Sequence, residues 1–291
     1  MSKRPIYGYH ASIASGYLSA VVRAYNHGAK AVQLWMGNSK GYASKELSPE
    51  VYEPVQEFVR ANNIKLIAHS PYLLNFARPL QTTSAGMKAL ERYLRDLRNV
   101  VNLGGIGSVL HMGANVKDLH QTFDEACEMF VNNLRWIITR MPKDATIILE
   151  NMAGGGTRMC CELDPWIEFW QNHVPEDIRP RIKWCIDTAH LYAAGEYDLS
   201  KQDECQRFYD DFEDGIGWEH VLCLHLNGSK TALGSHRDNH ADIGPVQSGQ
   251  IATAGLLHLV RLVTDAGKFM ILEVPTDEHN LLVQFDILET I

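Results

Sequence analysis

The sequence contains no C-x-x-C pair; its six cysteines, Cys127, Cys160, Cys161, Cys185, Cys205 and Cys223, lie scattered among apolar runs, helix-like stretches and one loop. That spacing argues against a zinc ribbon and suits a reducing compartment. No apolar stretch is long enough for a bilayer, and the opening MSKRPIYGYHASIASGY has two basic residues but no hydrophobic leader region. The expectation is an intracellular, non-secreted chain of the cytoplasm or nucleus, without membrane contact. Positive charge is scarce as well, with 27 Lys and Arg against 35 Asp and Glu and a net charge of −8. A nucleic-acid partner usually demands a basic footprint, so the balance disfavours one unless bound cations redress it. Three divalent ions would add roughly six positive charges where a phosphate must approach. A glycine-rich phosphate loop is also missing, because HASIASGY after the first strand lacks the spacing of a dinucleotide-binding fold.

What is present is an ordinary globular composition, 45% hydrophobic and 21% charged over 291 residues, undivided by any long linker or low-complexity block. One domain spanning residues 1–291 is expected. Strand-like runs at Ile6–Ser12, Ala31–Met36, Ile64–Ser70, Gly107–Met112, Ala145–Asn151, Ile182–Thr188, His220–Leu226 and Lys268–Val274 alternate with amphipathic stretches. Those stretches are Tyr17–His27, Glu53–Asn62, Ala85–Leu103, Leu119–Arg140, Asp164–His173, Lys201–Phe212, Ile251–Asp265 and Asn280–Leu288. Eight strand-then-helix units point to a closed (β/α)8 TIM barrel rather than a doubly wound sheet, with its active site at the C-terminal ends of the strands.

The polar residues favour the barrel. From the third strand onward the C-terminal ends read LIAHS, VLHMGA, IILENM, WCIDTAH, LCLHLNG and MILEVP, presenting His69, His111, Glu150, Asp187 with His190, His225 and Glu273. Each has a plain reading alone: a hydrogen-bonded histidine, a solvated glutamate, or an Asp187 that caps a helix whose histidine is tolerated. In a barrel, however, these ends converge on one opening, and buried imidazoles and carboxylates there need something to replace their hydration. The loop SHRDNHADIG adds Asp238 and His240, two apart, with His236 as a competing candidate for a solvated or phosphate-facing role. Five histidines and four carboxylates exceed what one zinc uses, so a multinuclear site of zinc or manganese type is expected.

At these residues the chain resembles the endonuclease IV family of apurinic/apyrimidinic endonucleases, among the xylose-isomerase-like barrels. The resemblance runs through HASIASGY, AHSPYLLN, LHMGAN, ILENMAGGG, CIDTAHLYAAGEYDL, HLNGSK, the D-x-H of SHRDNHADIG, and ILEVP. It implies three Zn2+ ions per chain, with Mn2+ as an alternative at one site, and hydrolysis of the phosphodiester 5′ to an abasic site in duplex DNA. The products would be a 3′-hydroxyl and a 5′-deoxyribose phosphate, with 3′-end cleaning as a further activity. By similarity, His69 and His111 would hold the first ion, Asp187, His225 and Glu273 the second, and His190, Asp238 and His240 the third. Glu150 would be catalytic, bridging the first two ions together with a hydroxide. A monomer is expected.

The chain departs from the family pattern near these ligands. HMGAN stands for the usual His-Pro-Gly-Ser, HLNGSK for His-Leu-Asn-Asp-Ser/Ala-Lys, DNH for Asp-Arg-His, and IGPVQSGQIA for Leu-Gly-Glu-Gly-x-Ile-Gly. DNA contact is expected from SPYLLN and GNSKGY: Tyr72 and Leu73 would wedge into the minor groove, and Lys40, beside Tyr42, sits where the family often has arginine. The competing reading of Tyr72 and Leu73 is a small apolar cluster closing the barrel rim. Two other functions compete with the nuclease. A sugar isomerase on the same barrel would use Glu150, Asp187, His225 and Glu273 without needing the remaining ligands, and a non-catalytic damage binder would lack some of them.

Overall fold

The computed structural model describes residues 3–115, 119–244, 249–274 and 277–291. Eight parallel strands close on themselves: β1 (Ile6–His10), β2 (Ala31–Trp35), β3 (Lys65–His69), β4 (Gly107–His111), β5 (Thr146–Glu150), β6 (Ile182–Asp187), β7 (Val221–His225) and β10 (Phe269–Leu272). A separate antiparallel pair, β8 (Gly228–Ser229) and β9 (His240–Ala241), intervenes before β10, which closes the ring against β1. Around the barrel lie α1 (Tyr17–Asn26), α2 (Pro49–Ala61), α3 (Ser84–Asn102), α4 (Phe123–Ile138), α5 (Leu163–Glu168), α6 (Thr188–Ala194), α7 (Gln202–Gly215), α8 (Thr253–Asp265) and α9 (Glu278–Glu289). This is the (β/α)8 barrel that the alternation of strands and helices leads one to expect.

The two faces of each strand bury into different cores because successive side chains point in opposite directions. Ala31, Ile67, Val109, Ile148, Cys185, Cys223, Phe269 and Ile271 fill the barrel interior as one cluster. Their neighbours, among them Val32, Leu66, Leu110, Ile147, Trp184, Leu224 and Met270, join the helices in the larger outer core. The alternation positions the site. Two residues past an interior residue the chain again faces the axis, one layer nearer the C-terminal mouth. Gln33, His69, His111, Glu150, Asp187, His225 and Glu273 each occupy such a position. On β1 the interior position is Gly8, where a Cβ would fall 1.5 Å from the carbonyl oxygen of Ala31, so only glycine lets the two strands approach. His10 follows it.

Helix boundaries differ from the periodicity where local chemistry overrides it. Helix α2 starts at Pro49 rather than Glu53, since Ser48 precedes a proline and Glu50 in the first turn. Helix α4 starts at Phe123 rather than Leu119, because Thr122 and Glu125 form a reciprocal capping box. The stretch expected at Asp164–His173 is α5 continued by a π-helical turn, Phe169–His173. Part of the segment IGPVQSGQIA, residues 245–248, and Pro275 of ILEVP lie outside the described residues.

Candidate metal centre

Glu150 stands at the middle of the mouth. Its Oε2 lies 2.9 Å from His111 Nε2 and 3.3 Å from His69 Nε2, while Oε1 lies 2.8 Å from His225 Nδ1. His225 Nδ1 is also 3.1 Å from Glu273 Oε2 and 3.9 Å from Asp187 Oδ2. On the other side His190 Nε2 is 3.2 Å from Asp238 Oδ2, and His240 Nε2 is 3.0 Å from Asp238 Oδ1 and 3.4 Å from Asp187 Oδ2. Four overlapping sets emerge: His69, His111 and Glu150; His69, His225 and Glu273; Glu150, Asp187, His225 and Glu273; and Asp187, His190 and His240 with Asp238 against them. Asp187 belongs to two of these sets, so it is shared between them rather than confined to one. It is also the N-cap of α6, its Oδ1 accepting from the backbone N–H of His190 at 2.8 Å. The cap and the cluster member are the same residue.

Hydrogen bonds behind the cluster fix which nitrogen His69, His190 and His225 present. His69 donates from Nδ1 to the carbonyl of Ser70 at 2.7 Å and His190 from Nδ1 to the carbonyl of Asn151 at 2.9 Å, leaving both Nε2 atoms facing inward. His225 is turned the other way, with Nε2 2.8 Å from Gln33 Oε1 and Nδ1 toward the carboxylates. Asn227 Nδ2 donates to Asp187 Oδ2 and Glu273 Oε2, and its Oδ1 accepts from the Glu273 backbone. Asn151 Oδ1 accepts from the Asp187 backbone at 2.7 Å.

Burial by itself disfavours charge on Glu150, His190, His225, Asp238, His240 and Glu273, yet their mutual fields win. Burial pushes the Glu150 carboxyl up, but the His225 and His111 imidazoles outweigh it and hold it well below the usual range. Burial likewise lowers His225, but Glu273 and Glu150 raise it to about 10. His240 rises to about 8, with Asp187 and Asp238 overcoming the same penalty. These lone pairs therefore seek positive charge, and protons and divalent cations compete for them. Among the described residues, the buried atoms Glu150 Oε2, His190 Nε2 and His240 Nε2 face oppositely charged neighbours but form no hydrogen bond of normal geometry. Such orphaned ligand atoms at the centre of an all-N/O donor set fit zinc or manganese.

The other expected residues divide. Tyr72 and Leu73 are 58% and 54% exposed. Tyr72 leans on Trp35, His69 and His111 with ring centroids 5.2, 5.7 and 5.5 Å away, while Tyr42 Oη donates to the Leu73 carbonyl at 3.2 Å. Tyr72 thus packs on the rim and still projects from it. The backbone N–H of Lys40 donates to Asn38 Oδ1, and its side chain is exposed. His236 is held away from the cluster: its backbone N–H donates to the Ala193 carbonyl, and its ring lies so close over Gly154 that a Cβ there would meet Nδ1 at 2.3 Å. The sequence reading missed Gln33, Asn151 and Asn227, which are amides rather than ligand types. Their signal was position: Gln33 lies in the ligand layer by the period of two, and the two asparagines lie one and two residues past a ligand.

The fold and this cluster define a class, the barrels that gather a divalent-metal site at their C-terminal mouth. The profile of the xylose isomerase-like TIM barrels matches residues 21–289. A protein named as an endonuclease 4 in Acanthamoeba polyphaga mimivirus is 30% identical over 281 residues, covering 94% of this chain and 86% of that protein. The apurinic-apyrimidinic endonuclease 1 of Saccharomyces cerevisiae is 29% identical over 243 residues, 82% of this chain and 63% of the yeast protein. Endonuclease IV from Thermus thermophilus superposes with a TM-score of 0.81 at 27% identity, covering 99% of this chain and 100% of that structure. The chain belongs to the xylose isomerase-like TIM barrels and, within them, to the endonuclease IV family.

Proposed function

We propose that this chain is a divalent-metal-dependent DNA hydrolase that cuts the phosphodiester 5′ to an abasic site in duplex DNA, leaving a 3′-hydroxyl and a 5′-deoxyribose phosphate. The observation that carries the reading is the convergence of five histidines and four carboxylates on Glu150 and Asp187, in a chain related to endonucleases along nearly its whole length. His69 and His111, then Asp187, His225 and Glu273, then His190, Asp238 and His240 are the residues to hold three Zn2+ ions, with Mn2+ as an alternative at one site and Glu150 between the first two groups. Bound there, divalent cations supply a nucleophile at neutral pH and offset the charge that develops on the phosphate.

The chain's own residues do the rest. Glu150 keeps its carboxylate ionised at the centre, and Gln33, Asn151 and Asn227 hold the surrounding groups in fixed orientations. Tyr72 and Leu73 project from the rim as an apolar wedge for the gap left by a missing base, which repays an unstacking cost of about a few kcal/mol per step. Lys40 contributes positive charge in the neighbouring loop. A sugar isomerase would need neither His69, His111 and His190 nor the Asp238–His240 hairpin. The protein acts as a monomer inside the cell on this reading; no helix among the described residues is long and apolar enough to cross a membrane. Trimming of blocked 3′ ends is a second activity of the same site.

The test is incubation of the purified protein with a duplex carrying one tetrahydrofuran abasic analogue, with and without a chelator. A single nick 5′ to the analogue with a polymerase-extendable 3′ end, abolished by chelation and restored by zinc or manganese, is expected. No cleavage by metal-replete protein, or cleavage indifferent to the chelator, overturns the reading.

A further inference from the structure

Two cations at the mouth, Lys230 and Arg158, form no ion pair among the described residues. Lys230 lines the same cavity of about 350 Å³ as Glu150, Asp238 and Glu273. Arg158 lines an adjoining cavity of about 260 Å³ whose wall includes His111, His190 and Asp238. The two cavities share Tyr72, His111, His190 and Asp238, yet each contains just one of the two cations. Among the described residues neither cation forms an ion pair, although Asp238 lines both cavities; Asp238 is engaged by His190 and His240 instead.

The Arg158 side chain and the Lys230 backbone are both held in place. Arg158 donates from Nη1 to the Gly154 carbonyl at 2.6 Å, which fixes the guanidinium against backbone without neutralising it. Its loop, turned by Gly154, Gly155 and Gly156 at φ 90, 83 and 66°, is pinned to the loop after β4 by a bridge between Ala114 and Arg158 and by Thr157 Oγ1 donating to the Asn115 carbonyl. Lys230 follows β8, and its backbone N–H donates to the Asn239 carbonyl at 2.9 Å, between Asp238 and His240.

A centre whose only task was to hold divalent cations gains nothing from exposed ammonium and guanidinium groups at its edge, since like charges repel. An anion lying across the mouth removes the conflict, and a strand of phosphodiesters offers several. We propose that Arg158 and Lys230 hold two different phosphates of the bound strand, one on each side of the phosphate at the metal centre. This rests on the nuclease reading above. Arg158, with its fork of donors, is suited to grip two oxygens of one phosphate, and Lys230 acts as a point charge.

The experiment compares metal-loaded wild type with Arg158→Gln and Lys230→Gln on the tetrahydrofuran duplex, reading the half-saturating duplex concentration in single-turnover cleavage across a salt series. Each variant is expected to require about tenfold more duplex, as for loss of one hydrogen bond to a charged group. Each should also flatten the log–log salt dependence by about 0.9, the share of one phosphate. Arg158→Lys should keep the wild-type salt slope. Metal content and melting temperature should match wild type, which separates substrate contact from structural damage. A second arm replaces each uncut linkage in turn by a neutral methylphosphonate. Arg158→Gln should become indifferent to neutralisation at one linkage and Lys230→Gln at another. Unchanged salt slopes in both variants, or loss of sensitivity at one common linkage, overturn the inference while leaving the nuclease reading intact. A wild type that does not cut the duplex overturns both.

Discussion

The metal centre has two halves built on different supports. Glu150, Asp187 and His225 end barrel strands and Glu273 directly follows one; all four lie beneath the mouth, and Asp187, His225 and Glu273 are braced by Gln33, Asn151 and Asn227. Asp238 and His240 instead ride on the connection through the two-residue strands β8 and β9, and the Asp238 side chain is 39% exposed. Strand ends fix side chains by the closed ladder, so the lower half has one geometry. The upper half is set by a short hairpin outside the closed ladder. The difference separates positions that the barrel ladder itself fixes from positions that depend on a connection outside it.

The largest way to break that comparison is Glu150→Ala, which removes the carboxylate common to His69, His111 and His225. Single-turnover cleavage of the abasic duplex should fall by several orders of magnitude, as when groups acting as one unit lose a central member, while DNA binding survives in part. Near wild-type cleavage would show that the lower half does not depend on Glu150. Asp238→Ala comes next and strikes only the upper half. Metal analysis should drop from three ions per chain to two, and a chelator titration of wild type should strip one ion ahead of the others; a wild type saturating at one or two ions sinks the three-ion assignment.

Asn227→Ala sharpens the contrast from behind, because it leaves every ligand in place but removes the amide shared by Asp187 and Glu273. Metal affinity of the lower half should weaken about ten- to a hundredfold in competition with a chromophoric chelator, in line with the usual effect of an orienting partner. If the upper half loosened instead, the separation of the two would be wrong. The smallest effect belongs to the rim: Tyr72→Ala with Leu73→Ala should raise the dissociation constant for abasic duplex about tenfold, the scale of losing apolar contact that offsets unstacking. Metal content and melting temperature should stay unchanged. Binding and cutting like wild type would leave Tyr72 as rim packing on Trp35, His69 and His111.

The lower half was far more legible in the sequence than the upper. A strand that alternates interior and exterior residues announces its last inward position, so His69, His111, Glu150, Asp187 and His225 could be read straight from the ends of apolar runs. The strands themselves are found where those runs lie, with ends shifted by a few residues at most. The hairpin of β8 and β9 is too short for any period to reveal, and Asp238 and His240 were approached through their spacing alone. The ligand pattern was read from the third strand onward, so Gln33 and His10, which occupy the same inward layer on the first two strands, were left out of it. Two readings of Asp187, helix cap and cluster member, looked like alternatives in the sequence; the structure satisfies both because the two oxygens of one carboxylate face different ways.

That double engagement of Asp187 makes the start of α6 an electrical gauge of the centre. The N–H of His190 points its proton at Oδ1 of a carboxylate whose other oxygen lies 3.4 Å from His240 Nε2 and 3.9 Å from His225 Nδ1. Electron density drawn through the carboxylate toward the cluster is taken from the oxygen that this proton contacts. The backbone amide resonance of His190 is therefore expected to shift when divalent cations are titrated into the protein, a readout in solution that needs no substrate and no altered residue.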